Sequence, residues 1–169
     1  MPLVLKGKAK KVVTITSGFA DPELTRTYDI GTAPLYSASK AAVNMIVAKF
    51  SAEYREQGVL FLAVTPGTVD VGQYNGGMFS LSSLFCPHSY MHFLHPGGLS
   101  IHLTFTATPE QVQNLGKLAA KFAQYEPNFK GPIPTEESVK LMRSVIDNAS
   151  VEKGHGGDFL SQFGNKRWL

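Results

Sequence analysis

Cysteine is almost absent: Cys86 is the only one in 169 residues. A lone thiol excludes an internal disulfide and fits a reducing compartment. Long apolar runs are missing as well. None approaches the roughly 20 residues that a membrane helix needs. The apolar opening Met1–Leu5 stops at Lys6, too short for the core of a secretory signal. A soluble, cytoplasmic protein with no membrane partner is therefore expected. Charge is sparse at 17% and nets only +3. The one dense basic stretch is Lys6, Lys8, Lys10 and Lys11, without interleaved aromatics to stack on bases. It reads as a solvated turn before a strand, and no nucleic-acid partner is expected. With 43% apolar residues the chain is not disordered, and its length suits one domain with a buried core.

The punctuation of the chain alternates between two periods. Lys11–Thr16 (KVVTIT) is a short β-branched run, read as a parallel strand buried on both faces. Phe19–Pro34 holds Asp, Pro, Gly and Thr and reads as a loop. From Ser37 the spacing turns helical, with Val43, Ile46, Val47, Phe50 and Tyr54 on one face and Gly58 at the C-cap. Val59–Thr65 (VLFLAVT) is a second apolar strand, ended by Pro66-Gly67. Thr108-Pro109-Glu110-Gln111 is a capping box opening a helix to about Tyr125. Thr135 opens another, with Val139, Met142, Val145 and Ile146 as its apolar stripe. Asp158–Ser161 reads as a last strand. Strand–helix–strand at these lengths is a βαβ crossover, which implies a parallel sheet and an α/β layered fold.

Chemistry concentrates at one edge of that expected sheet. Tyr36 and Lys40 lie four apart at the opening of the first long helix, so both project from one face. A phenol is a weak base at neutral pH, and a nearby ammonium favours its ionised form. Ser17 ends the preceding strand at the carboxyl edge, where α/β sheets hold their ligands. There its hydroxyl can hydrogen-bond a carbonyl oxygen beside the tyrosine. Pro66-Gly67 ends the next strand on the same edge.

These pieces in this order resemble the short-chain dehydrogenase/reductase family: VVTITSG (Val12–Gly18), YSASKAAVN (Tyr36–Asn44) and VTPGTVDVG (Val64–Gly72). The closing GGDFLSQFGNKRWL (Gly156–Leu169) is similar to the tail of a fungal branch of that family. The resemblance implies Tyr36 as general acid/base, Lys40 as its aid and a ribose contact, and Ser17 as the group that orients the substrate carbonyl. It implies Pro66, Gly67 and Val69 as contacts to the nicotinamide of NADP or NAD. The implied reaction is hydride transfer between that cofactor and a small-molecule carbonyl or alcohol. A homo-oligomer through the Tyr–Lys helix is the implied assembly.

Departures from the family pattern set the alternatives. The glycine-rich GxxxGxG turn and the family's catalytic Asn do not occur, on the order of 100 residues of a full dinucleotide fold. The expected fold is thus a partial Rossmann-like, doubly wound sheet with flanking helices, a single truncated domain lacking the first βαβ units. Met1–Leu5 resembles the end of the preceding helix, and the edge and one face of strand Val12–Thr16 are expected to be exposed. Val71 stands where the family often has Thr. Alternative readings are a non-catalytic remnant that oligomerises, or a non-redox isomerase or cyclase using Tyr36 and Lys40.

The stretch at about 76–106 is expected to be an irregular insertion without clear period. Its codons can accommodate intron boundary signals, which makes Gly77–Thr106 a candidate retained intron. Transcripts that keep this segment together with Met1 as the start would sink that hypothesis. Cys86, His88, His92, His95 and His102 cluster there, but Pro87 and Pro96 break any helix and no carboxylate is present to orient the imidazoles. No metal site is expected.

Overall fold

A computed structural model of the chain describes residues 1–70 and 109–169. The insertion, Val71 and the Cys86–His102 cluster lie outside the described residues. The elements are α1 (Pro2–Lys6), β1 (Lys11–Ile15), α2 (Pro22–Thr27), α3 (Pro34–Tyr54), β2 (Leu60–Val64), β3 (Val69–Asp70), α4 (Pro109–Tyr125), β4 (Ile133–Pro134), α5 (Thr135–Asn148) and β5 (Phe159–Leu160). Short 3-10 turns at Gly18–Ala20 and Arg55–Gln57 follow β1 and α3. The main sheet is parallel in the order β1-β2-β5, with Val12 opposite Phe61 and Val64 opposite Leu160. A second parallel pair joins Val69 to Ile133. This is the expected α/β fold with a parallel sheet and flanking helices.

Side-chain alternation along the strands sends each face to a different helix. Leu60, Leu62 and Val64 pack with Met142, Val145 and Ile146 of α5. Phe61 and Ala63 pack with Val47 and Tyr54 of α3. Every residue of β2 is buried, as befits the central strand. Strand β1 is different: it is half-buried, and Ile15 is 48% exposed. The burial on both faces read from its apolar run is not found in β1, whereas the exposed edge and face expected from the missing βαβ units are: among the described residues it pairs on one side only and no helix covers Ile15.

Three further local readings are corrected. Phe19–Pro34 is not all loop: Asp21 caps α2, its Oδ1 accepting from the Glu23 amide at 2.9 Å, with Pro22 at the first helical position. Helix α3 starts at Pro34, ahead of the helical spacing read from Ser37, and Tyr36 lies in its first turn, at the helix opening as expected. Ile46 faces outward at 53% exposure, whereas Ser51 is buried. The reason is close packing: a Cβ on Gly157 would come within 3.2 Å of the Ser51 Cβ and 3.4 Å of the Ala48 Cα, so α3 meets the Gly157 turn through small residues. On α5, Val139 is likewise exposed, while the rest of its predicted stripe packs on the sheet.

The lysine cluster is also more than a solvated turn. Lys11 Nζ donates to the carbonyls of Ile146 and Asp147 at 2.8 and 3.1 Å, and Lys153 Nζ donates to Asn148 O at 2.9 Å. These cations satisfy the open carbonyls at the end of α5, where the helix dipole is negative. Gly58 adopts the left-handed conformation (φ +69°) expected at the end of the α3 segment.

Candidate functional site at the carboxyl edge

The site is built on the ends of β1 and β2 and the start of α3. Lys40 stands one turn beyond Tyr36, with Nζ 5.7 Å from the centre of the tyrosine ring. The same ammonium donates to the Ile15 carbonyl at 3.3 Å. One cation therefore ties the opening of α3 to the last residue of β1, two residues ahead of Ser17. Of the three ammonium protons, one goes to Ile15 and two stay available.

Ser17 caps the 3-10 turn that follows β1, its Oγ accepting from the Phe19 amide at 3.3 Å. An accepting hydroxyl keeps its own proton to donate elsewhere. Phe19 belongs to a buried cluster with Leu24, Ile30, Leu118 and Trp168, and Tyr36 packs against that cluster. The turn bearing Ser17 and the helix bearing Tyr36 thus share one apolar support. A hydrophobic wall against a half-buried phenol restrains its ring.

The Pro66–Val69 segment is held from three sides. Ser138 Oγ, 1% exposed on α5, donates to Pro66 O at 2.8 Å. The Gly67 amide donates to Thr65 Oγ1 at 3.4 Å. Val69 sits in the β3–β4 pair, and Thr135 Oγ1 donates to Asp70 O at 3.0 Å. Gly67 has φ +76°, a conformation that favours glycine, and a Cβ there would lie 2.3 Å from Gln162 Nε2. Gln162 is only 3% exposed, and its Oε1 has no hydrogen-bond partner among the described residues.

Ser17 and Pro66-Gly67 follow the carboxyl ends of the adjacent strands β1 and β2, Tyr36 and Lys40 lie in the first turns of α3, and Val69 lies in the β3–β4 pair. Sequence reasoning missed Ser138, Gln162 and Trp168. The first two carry no local signal, since both act across the sheet. The single Trp near the end of the chain was a visible oddity that went unused. A cavity of about 570 Å³ opens beside Thr68, walled by Phe129, Ile133, Gln162, Phe163 and Leu169. Ser17, Tyr36 and Lys40 are not part of its lining, so it is a neighbour of the candidate centre rather than the centre itself. Among the described residues no cluster of metal-ligating side chains occurs, and no helix is long and apolar enough to cross a membrane.

Comparisons with known proteins agree with the fold. Residues 1–76 match the family model described as short chain dehydrogenase. The whole chain is 40% identical to the short chain dehydrogenase virK of Hypocrea virens and 40% identical to the short-chain dehydrogenase/reductase iacC of Pestalotiopsis fici. Each alignment takes in 100% of this chain and 51% of the relative, so the chain spans about half the length of the curated relatives it matches. Among solved structures, the NADPH-bound carbonyl reductase from chicken fatty liver matches with a TM-score of 0.55 and 20% identity. That match covers 97% of this chain and 47% of the other. At that identity the likeness speaks for the fold alone.

Proposed function

This chain belongs to the short-chain dehydrogenase family, and from that premise we propose that it carries the proton-handling half of a nicotinamide-dependent carbonyl/alcohol oxidoreductase. The observation that supports this most is the placement of Lys40, 5.7 Å from the Tyr36 ring and bonded to the strand end that leads into Ser17. It puts an acid, a cation and a hydroxyl donor on one sheet edge.

The residues fit the nicotinamide-ribose end of an NADP or NAD molecule. Lys40 has two uncommitted ammonium protons for ribose hydroxyls. Pro66, Gly67 and Val69 form a braced segment against which a flat ring would lie. When bound, the cofactor supplies or accepts the hydride. In the reductive direction, Ser17 donates a hydrogen bond to the substrate carbonyl oxygen and orients it. The Tyr36 hydroxyl gives its proton to that oxygen as the carbon is reduced. Lys40 stabilises the phenolate left behind by charge. In the oxidative direction the proton travels from the alcohol oxygen to Tyr36.

Calorimetric titration of the purified chain with NADPH and NADH tests the reading. Micromolar binding, weakened at least tenfold by Tyr36→Phe with Lys40→Ala, is expected. No heat up to millimolar cofactor would overturn it for this chain. A second reading, a non-catalytic chain that associates with a second copy through α3, is favoured by the exposed Leu35, Met45 and Ile46 on that helix, at 86%, 60% and 53%. Equilibrium sedimentation of Met45→Glu, Ile46→Glu separates the two. Loss of a dimer supports association through α3, and an unchanged monomer removes it.

A further inference from the structure

The closing segment Ser161–Leu169 does more than finish the chain. Trp168 is only 4% exposed and is gripped at three points. Its indole Nε1 donates to Asp21 Oδ2 at 2.7 Å, and its backbone amide donates to the Tyr125 hydroxyl at 3.0 Å. Its ring stacks on Phe159, with centres 4.2 Å apart and planes 12° from parallel. Arg167 adds an ion pair to Glu126 at 2.7 Å. The segment also keeps its own shape, because Asn165 Oδ1 accepts from Ser161 Oγ at 2.9 Å and from the Arg167 amide at 2.8 Å.

What the ring presses on is the turn bearing Ser17. A Cβ added to Gly18 would stand 2.6 Å from the Trp168 Cβ and 2.9 Å from its Cγ. Gly18 has no positive φ, so glycine is required there for space and not for backbone freedom. Three residues on, Asp21 splits its carboxylate: Oδ1 caps α2 and Oδ2 holds the indole. Between these two grips run the bonds that close the turn, Ala20 N to Ser17 O at 2.9 Å and Asp21 N to Gly18 O at 3.0 Å. At its other end the same segment places Gln162 beneath Gly67.

We propose that Ser161–Leu169 is a clasp across the carboxyl edge and that Trp168 is a positioning residue for Ser17, acting through Gly18 and Asp21. The link to Ser17 as a substrate-orienting group rests on the functional reading above. The clasp itself rests on geometry alone. A side chain that merely filled the core would not need a hydrogen bond to the residue that caps the neighbouring helix. Nor would it require its contact residue on the Ser17 turn to lack a side chain.

Two conservative variants isolate the grip. Trp168→Phe keeps a stacking ring and removes the indole donor. Asp21→Asn keeps a helix-capping oxygen and leaves the indole without its carboxylate. Amide exchange by NMR is expected to speed up about tenfold or more at Ala20 and Asp21 in either variant, the scale of losing one hydrogen bond to a carboxylate. Exchange at Leu62, Ala63 and Val64 of the central strand stays unchanged. Unchanged exchange at the turn, or equal acceleration everywhere, overturns the clasp.

Turnover of NADPH with 4-nitrobenzaldehyde as the probe supplies the link to Ser17. Trp168→Phe should lower kcat severalfold in the native background and leave Ser17→Ala unaffected, since one acts through the other. Equal losses in both backgrounds overturn the positioning role. If the unsubstituted chain shows no turnover, the reductase reading fails, and the exchange data alone decide the clasp.

Discussion

The Ser138 hydroxyl, buried on α5, donates to the carbonyl of Pro66 at 2.8 Å, joining residues 72 apart in sequence. It fixes the turn after β2 from the far side of the sheet, so α5 contributes to the candidate site without reaching it. Ser138→Ala is expected to lower stability by about 1–2 kcal/mol, the cost of leaving one buried partner unsatisfied. Urea unfolding checks this, and a loss below experimental error would show that the bond carries no net energy.

Gly67 carries two separable demands. Its φ of +76° disfavours any side chain, and its missing Cβ makes room for Gln162. Gly67→Ala should cost about 1–3 kcal/mol from strain and overlap together. Adding Gln162→Ala should relieve the overlap and leave the backbone cost of about 1 kcal/mol. Thermal melts of the two variants, compared with Gln162→Ala alone, read out the difference. A full recovery would show that backbone strain plays no part.

Tyr125 gives the fold a signature at high pH. Burial pushes its phenol above the ordinary value of 10.0, with the charge of Asp21 adding to the shift and the hydrogen bond from the Trp168 amide opposing it. The folded state holds the proton more tightly than the unfolded chain. That contribution is fully present below the unfolded value and is lost as pH rises through the folded one. Stability should therefore fall as pH climbs past about 10, and less steeply in Tyr125→Phe. Parallel slopes for both proteins would remove Tyr125 as the cause.

Strand β1 is paired on one side among the described residues and shows Ile15 to solvent. An open, β-branched edge is a template for association. Ile15→Thr keeps the carbonyl that Lys40 uses and should reduce light scattering on standing. Folding stability should stay within about 0.5 kcal/mol, as for an exposed site. Unaltered scattering would place the association elsewhere.

Several elements were legible in the sequence because their causes are local. Strand β2 is a continuous apolar run with Pro-Gly at its end, α4 ends at Tyr125 and α5 opens at Thr135, as read from the sequence. Helix α2 had its own signals, Asp21 before Pro22 and Glu23, but its six residues are too few for a period to stand out. Ile46 and Val139 were placed by period on inner faces and lie outside. The helical period names a stripe, whereas the helix's rotation on the sheet is set by its tightest contact, here Ser51 and Ala48 against Gly157. Two-residue strands such as β3 and β4 have no period at all.

By itself, the sequence determined the βαβ order, the parallel sheet and the four-residue spacing that puts Tyr36 and Lys40 on one helical face. Those features follow from hydrophobic period, capping residues and turn chemistry, each acting within a few residues. Tertiary structure alone decided that Lys40 bonds Ile15, that Ser138 and Gln162 brace Pro66-Gly67, and that Trp168 fills the space left by Gly18. These are contacts between residues 25 to about 150 positions apart, and they depend on shape and on which donor meets which acceptor once the layers close. No local pattern carries that information, because the partner that completes each contact is supplied by a different element of the fold.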